Sequence, residues 1–248
     1  MLYLILSIIC SASIALIFKY SENSNANRYV ITSANYFTAW MISLLMILSR
    51  GLLSDIDRDK SFVEEFSGLA GNSTEVLSPY SSIIWGLIVG VIAGCFFFLA
   101  FIYYQKSVKE NGVGLSGTVA KLGILIPVIF SIVLWKELPT AVQWVGIVLA
   151  LGSIVIINLS SKSLEKLDIK ATIILLFIFN GMAEFSNKIY QRYALNEYKD
   201  IFLFVVFFVA FLISVFYIFR KKAKITGKSI LTGFAVGVPN LFSSYFLI

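Results

Sequence analysis

Residues 81–104 read SSIIWGLIVGVIAGCFFFLAFIYY, a run without one charged side chain. In helix, about 20 apolar residues cross the roughly 30 Å hydrocarbon core of a bilayer. The run meets that length, and a spanning segment must satisfy its backbone hydrogen bonds internally. Working outward, the same reading applies to Leu2–Phe18, Tyr29–Ser49, Leu115–Trp135, Thr140–Asn158, Lys170–Tyr190, Ile201–Phe219 and Ser229–Ile248. With 81–104 in third place, these are segments 1 to 8 in chain order. No stretch shows the alternation of a β-barrel. The expected fold is all-α, a polytopic transmembrane helical bundle whose first partner is the lipid bilayer.

Composition agrees. Hydrophobic residues are 58% and charged residues 14%, against about 25% charged in soluble domains. Mean hydropathy is +0.87. The net charge of +6 is carried between apolar runs, where membrane proteins place topogenic charge, so nucleic acid is not an expected partner. There is no histidine, which removes imidazole acid–base chemistry and the commonest zinc sites. No metal-ligand cluster, nucleophile elbow or phosphate-binding loop is present. The chain is therefore not expected to be an enzyme, to hold a metal or cofactor, or to be driven by ATP. Cys10 and Cys95 fall inside apolar runs and read as buried free thiols. No basic stretch precedes the first run, so it reads as a retained helix, not a cleaved leader.

The connections are short except 50–80. That loop holds Asp55, Asp57, Asp59, Glu64 and Glu65 around Phe62, Val63 and Phe66. It reads either as an amphipathic turn lying at the interface or as a solvated loop. Pro79 precedes segment 3 and Pro139 opens segment 5, where a missing N–H costs nothing. Pro127 and Pro239 lie inside segments 4 and 8, where each is expected to bend or break its helix. Interrupted helices often mark a substrate path, although a kink can also serve packing alone. Gly86, Gly90 and Gly94 stand four apart on one face of segment 3 and invite close backbone approach. Gly146 with Ala150 makes a weaker pair of the same kind.

The chain carries a trace of internal repetition. Gly233-Phe-Ala-Val-Gly237-Val echoes Gly86-Leu-Ile-Val-Gly90-Val at an offset of 147, and Lys188 echoes Lys19 at an offset of 169. The offsets differ by 22, as do the lengths of the loops 50–80 and 220–228. Segments 1–3 then map onto segments 6–8, in a unit of five helices. An odd unit inverts its second copy across the membrane, a signature of secondary transporters.

Within 112–158 stand Lys121-Leu-Gly-Ile-Leu-Ile-Pro127, Trp135-Lys-Glu137-Leu-Pro139 and Gln143-Trp-Val-Gly146-Ile. On these residues the stretch resembles the EamA-type repeat of the drug/metabolite transporter superfamily. The resemblance implies ten helices in two inverted halves, with a central cavity between them. On that reading residues 1–158 are the first repeat, 159–169 a linker and 170–248 an incomplete second repeat, with 8 helices of the 10 (5+5) present. It also implies transport, mostly efflux or exchange, of small metabolites, amino acids or drugs across the plasma membrane of a bacterium. Because the last two helices are lacking, the alternative is an incomplete or partner-dependent membrane subunit, the partner being a second copy or a chain that supplies the missing helices.

Polar side chains inside a bilayer are costly and generally face a cavity or a partner. Lys121, two turns into segment 4, is a candidate for an anionic substrate group or a carboxylate; its long stem could equally snorkel. Segment 6 carries Asn180, Glu184, Asn187 and Gln191 at spacings that share one face, with Lys188 four residues after Glu184. Glu184 reads as a protonation site or as half of a structural ion pair. Asn35 and Tyr36, with Ser33 and Thr38, and Asn240, Ser243 and Ser244, with Tyr245, read as lining a polar cavity or as hydrogen bonds between helices. Phe96, Phe97 and Phe98 read as packed or lipid-facing. Glu137 reads as a structural or gating carboxylate at the start of segment 5, against the positive end of its dipole. Basic residues concentrate after segments 1, 3, 5 and 7, led by Arg220, Lys221, Lys222 and Lys224, which favours an outside N-terminus. The resemblance implies an inside one.

Overall fold

The computed structural model describes residues 2–22, 26–54, 61–69, 76–160 and 171–248. Asp55, Asp57 and Asp59, the side chain of Ala150 and the linker from 161 onward lie outside the described residues. All regular structure among the described residues is helical: α1 (Leu2–Glu22), α2 (Arg28–Arg50), α3 (Phe62–Leu69), α4 (Pro79–Asn111), α5 (Val113–Leu122), α6 (Leu125–Trp135), α7 (Ala141–Ser160), α8 (Ala171–Tyr193), α9 (Lys199–Arg220) and α10 (Gly227–Leu247).

Six spans among the described residues are long and apolar enough to cross a membrane: α1, α2, α4, α5 and α6 taken together, α9 and α10. The chain is thus an all-helical integral membrane protein by length and composition. Of the eight expected spans, the first four, the seventh and the eighth fall in this set, and the fifth forms as α7, whose side chains at 150 and 153–160 lie outside the described residues. The expected sixth span forms as α8, but the polar residues of its second half, from Asn180 to Gln191, keep it out of that set. The expected fourth span is two helices, α5 and α6. The expected third span is longer than read, 33 residues, or about 50 Å of helix.

Contacts divide the chain into two compact units, Met1–Phe98 with Ser186–Ile248, and Leu99–Phe185. In the first unit, α1 runs antiparallel to α10. Tyr3 stacks on Phe246, the Ser7 hydroxyl donates to the Ser243 carbonyl at 3.0 Å, and the Ser11 and Ser243 hydroxyls meet at 2.7 Å. α2 runs antiparallel to α9 through an aromatic seam of Tyr29 on Tyr217, Tyr36 on Phe207 and Trp40 edge-on to Phe204 and Phe208.

Two parallel crossings complete this unit, both on glycine. Along α4, a Cβ at Gly90 would lie 2.9 Å from Val205, and one at Gly94 would lie 2.8 Å from the Val206 carbonyl. Gly86 sits under Phe202 and Tyr190. Along α10, a Cβ at Gly233 would lie 2.5 Å from the Ile31 carbonyl, and one at Gly237 would lie 2.7 Å from the Asn35 carbonyl. Any larger residue would push these backbones apart. Gly146 differs: among the described residues nothing lies within 4 Å of an added Cβ, so it makes no close approach within this chain.

The loop 50–80 is more than a turn. α3 lays Phe66 on Trp85 at 5.0 Å and Phe62 on Phe66 at 5.7 Å, while Glu65 accepts from the Ser78 amide at 2.9 Å. The apolar face thus lies on α4 and leaves Glu64 exposed. The thiols are corrected as well: both cysteines are free, but Cys95 is exposed and Cys10 half-buried. Phe98 is packed against Tyr217 and Phe97 against Phe207.

The second unit holds the end of α4, α5 to α7 and the first two-thirds of α8. Val119, Ala120 and Leu176 form its core, covered by Tyr103, Tyr104 and Phe177. Gly112, at φ +80°, turns the chain between α4 and α5 where a side chain would be strained. Ser107 and Ser116 bridge that turn at 2.7 Å, and Thr172 donates to Glu110 at 2.7 Å.

Candidate functional site

Pro127 organises the second unit. A proline has no N–H for the carbonyl four residues back, and its ring clashes with that carbonyl. Here that carbonyl is Gly123, and there the helix stops. Through the break, hydrogen bonds shorten to a three-residue step: the Ile124 amide donates to Lys121 at 3.3 Å and the Ile126 amide to Gly123 at 3.0 Å. The regular four-residue step resumes with the Val128 amide on Ile124 at 3.3 Å. Pro239 sits inside an α10 that continues past it, so of the two expected outcomes the break does not occur.

Gly123 and Ile124 keep right-handed helical dihedrals, so the break is a tightened turn. A carbonyl that loses its four-residue partner needs another donor, and α8 supplies one. The Asn180 amide donates to the Ala120 carbonyl at 2.6 Å. A Cβ at Gly123 would lie 2.9 Å from the Gly181 nitrogen, and one at Gly181 would lie 2.8 Å from the Gly123 carbonyl. Two glycines thus let the broken backbone rest on α8. Lys121 stands in the last turn of α5, where the helix dipole favours a cation. Glu184, one turn beyond Asn180, acts electrostatically on Lys121. So the break, an amide, a cation and a carboxylate share one place.

A cavity of about 490 Å³ adjoins the break, within the usual range for small-molecule sites. Ile124 and Leu125 line it together with Val128, Ser131, Glu137 and Gln143. Glu137 therefore faces this cavity, and its expected place at the helix start is corrected. Thr140 caps α7 instead. Its hydroxyl accepts from the Gln143 amide at 3.4 Å, and the Gln143 side chain accepts from the Thr140 amide at 2.8 Å, a reciprocal capping box. Pro139 accordingly precedes the cap, and α7 begins at Ala141.

The remaining candidates lie in the first unit. Asn240 donates to Asn35 at 3.1 Å, Ser243 bonds to Ser7 and Ser11, and Tyr36 donates to the Phe97 carbonyl at 2.6 Å. These are hydrogen bonds between helices. Asn35 is fully buried, and its Nδ2 makes no hydrogen bond among the described residues. Ser244 and Asn187 are buried, and Lys188 is half-buried.

One cluster was not legible in the sequence. Arg50, the last residue of α2, lies 3.0 Å from Asp200 in the first turn of α9. Arg50 also donates to the Tyr245 hydroxyl at 2.8 Å. Lys199 donates to the Tyr245 carbonyl at 3.1 Å and sits 3.9 Å over its ring.

No family model matches the chain. An uncharacterized protein of Haemophilus influenzae is 22% identical over 246 residues, which cover 99% of this chain and 77% of that protein. The likeness runs along the chain and brings no activity with it.

Proposed function

We propose that the chain is a secondary transporter, for efflux or exchange of small metabolites, amino acids or drugs, with its ligand site at the break between α5 and α6. The observation that carries this reading is the broken span itself, held by Asn180 and Gly181 and flanked by Lys121, Glu184 and the cavity. Broken helices at membrane depth are how many transporters build such sites. A purely structural kink would need neither a cation nor a carboxylate beside it.

The EamA-like, inverted-repeat reading is part of the proposal and has its own support. Gly90 meets the Phe202 carbonyl and Val205, as Gly237 meets the Asn35 carbonyl and Thr38. Phe202 and Asn35 are 167 positions apart in the chain, and so are Val205 and Thr38. Exchanging α4 with α10 and α9 with α2 therefore reproduces the same contacts. The exchanged pair α2 and α9 run antiparallel, the relation an inverted repeat requires.

A second reading, a subunit that needs a partner, is favoured by α7. From Ala141 to Leu149 every side chain except Ile147 is exposed, so this part of the helix packs one face at most. Reconstitution tests the two readings together. Proteoliposomes loaded in turn with amino acids, nucleobases and cationic drugs are expected to exchange one class above protein-free vesicles, less so with Asn180→Ala. Folded protein that exchanges none of them would sink the first reading and leave the second.

A further inference from the structure

We propose that Arg50, Asp200, Lys199 and Tyr245 form an ionic latch that closes the end of the first unit where α2, α9 and α10 meet. The use of the latch, to open one side of the bundle, rests on the transporter reading. Its existence rests on geometry alone.

Three observations carry it. Asp200 is 1% exposed, yet neither carboxylate oxygen accepts a hydrogen bond among the described residues. Arg50, which lies within ion-pair distance of it, has a side chain 45% exposed. A buried ion pair kept only for stability needs its remaining lone pairs satisfied, because desolvation otherwise offsets the attraction. This one is left poised.

Tyr245 is the shared bolt. Arg50 from α2 takes its hydroxyl, while Lys199 from α9 takes its carbonyl and its ring face. Lys199 donates directly to Tyr245 and acts on its neighbour Asp200 only through its field. The last turn of α10 is thereby pinned to the last turn of α2 and the first of α9. In addition, Gln191 of α8 donates to the Leu247 carbonyl at 3.0 Å.

The opposite end of the same helix pair is built differently. There Tyr29 stacks on Tyr217 at 5.7 Å, and Phe98 lies 5.3 Å from Tyr217. The Asn27 amide also donates to the Ser229 hydroxyl there, at 3.0 Å. One end is closed by rings and a neutral hydrogen bond and the other by charge. Water that enters the charged end compensates separated ions, whereas at the other end it replaces only a neutral hydrogen bond. The charged end is the one that opens.

The test is cysteine accessibility without any substrate, so a failed transport assay leaves it untouched. In a Cys10→Ser/Cys95→Ser background, Ser244→Cys places a thiol at a buried position beside Tyr245. A membrane-impermeant maleimide reports how often that end opens. Asp200→Asn and Arg50→Gln are expected to raise the labelling rate about tenfold, and Tyr245→Phe to raise it less. Arg28→Gln, at the aromatic end, is expected to leave it unchanged. If Asp200→Asn fails to fold, Arg50→Gln and Tyr245→Phe carry the comparison. Unchanged labelling in the folded variants, or an equal rise with Arg28→Gln, overturns the latch.

Discussion

The Asn180 side chain donates to the Ala120 main-chain carbonyl at 2.6 Å, across 60 positions of chain. That carbonyl would bond the Ile124 amide in a regular helix, but the amide has moved to Lys121. Asn180 therefore holds the end of α5 from outside. Asn180→Ala is expected to destabilise the protein by about 1 kcal/mol, the usual size for such bonds in membranes and in water. Thermal unfolding in detergent measures it. An unchanged midpoint would mean that the break is held by the two glycines alone.

Pro127→Ala restores the N–H that a regular helix would direct at the Gly123 carbonyl, which here accepts from the Ile126 amide instead. The span is then free to close into one helix, so stability is expected to hold or rise while ligand exchange falls. Paired unfolding and proteoliposome measurements separate the two effects. Exchange at the wild-type level would show that the break is only a packing kink.

The glycines divide by what an added methyl would meet. Gly237→Ala drives Cβ to 2.7 Å from a backbone carbonyl and is expected to cost about 2 kcal/mol, as overpacking does. Gly146→Ala meets nothing within 4 Å and is expected to be neutral or to gain up to about 1 kcal/mol from helix propensity. Unfolding midpoints of the two variants in one detergent give the comparison, and equal losses would contradict the packing described.

Thr140 and Glu137 part company in the same assay. Thr140→Ala removes the cap of α7 and is expected to lose about 1 kcal/mol. Glu137→Gln is expected to cost less, because Glu137 lines the cavity and lies three positions before the cap. The reverse order would restore Glu137 to the cap.

The helices were legible because bilayer thickness imposes a length, and Ser81–Tyr104 or Ile201–Phe219 cannot be read as anything else. The glycine spacing in α4 announced a close contact but not its partner. The same spacing at Gly146 announced one that the described residues do not make, since periodicity says nothing about what stands opposite. Pro127 signalled a break, yet the break falls one turn earlier, at the carbonyl the ring displaces. The bond from Asn180 to Ala120 was not readable at all, because its acceptor is backbone and every residue has one. Arg50 and Asp200 were missed for a narrower reason. By hydropathy segment 2 ends at Ser49 and segment 7 begins at Ile201, so both charges fall one residue outside, in loop. Apolar runs place the edge of a span by hydropathy, whereas α2 and α9 carry their helices through charged ends that only tertiary partners can hold.

The central claim is a ligand site at the break, built with Lys121 and Glu184. The measurement that tests it most directly is ligand-dependent thermal stabilisation of the purified chain in detergent. The panel is amino acids, nucleobases and cationic drugs, applied to wild type, Lys121→Ala and Glu184→Gln. The expected result is that one chemical class raises the wild-type midpoint and that at least one variant loses the shift. A folded, monodisperse protein stabilised by no compound, or stabilised equally in both variants, would contradict the account.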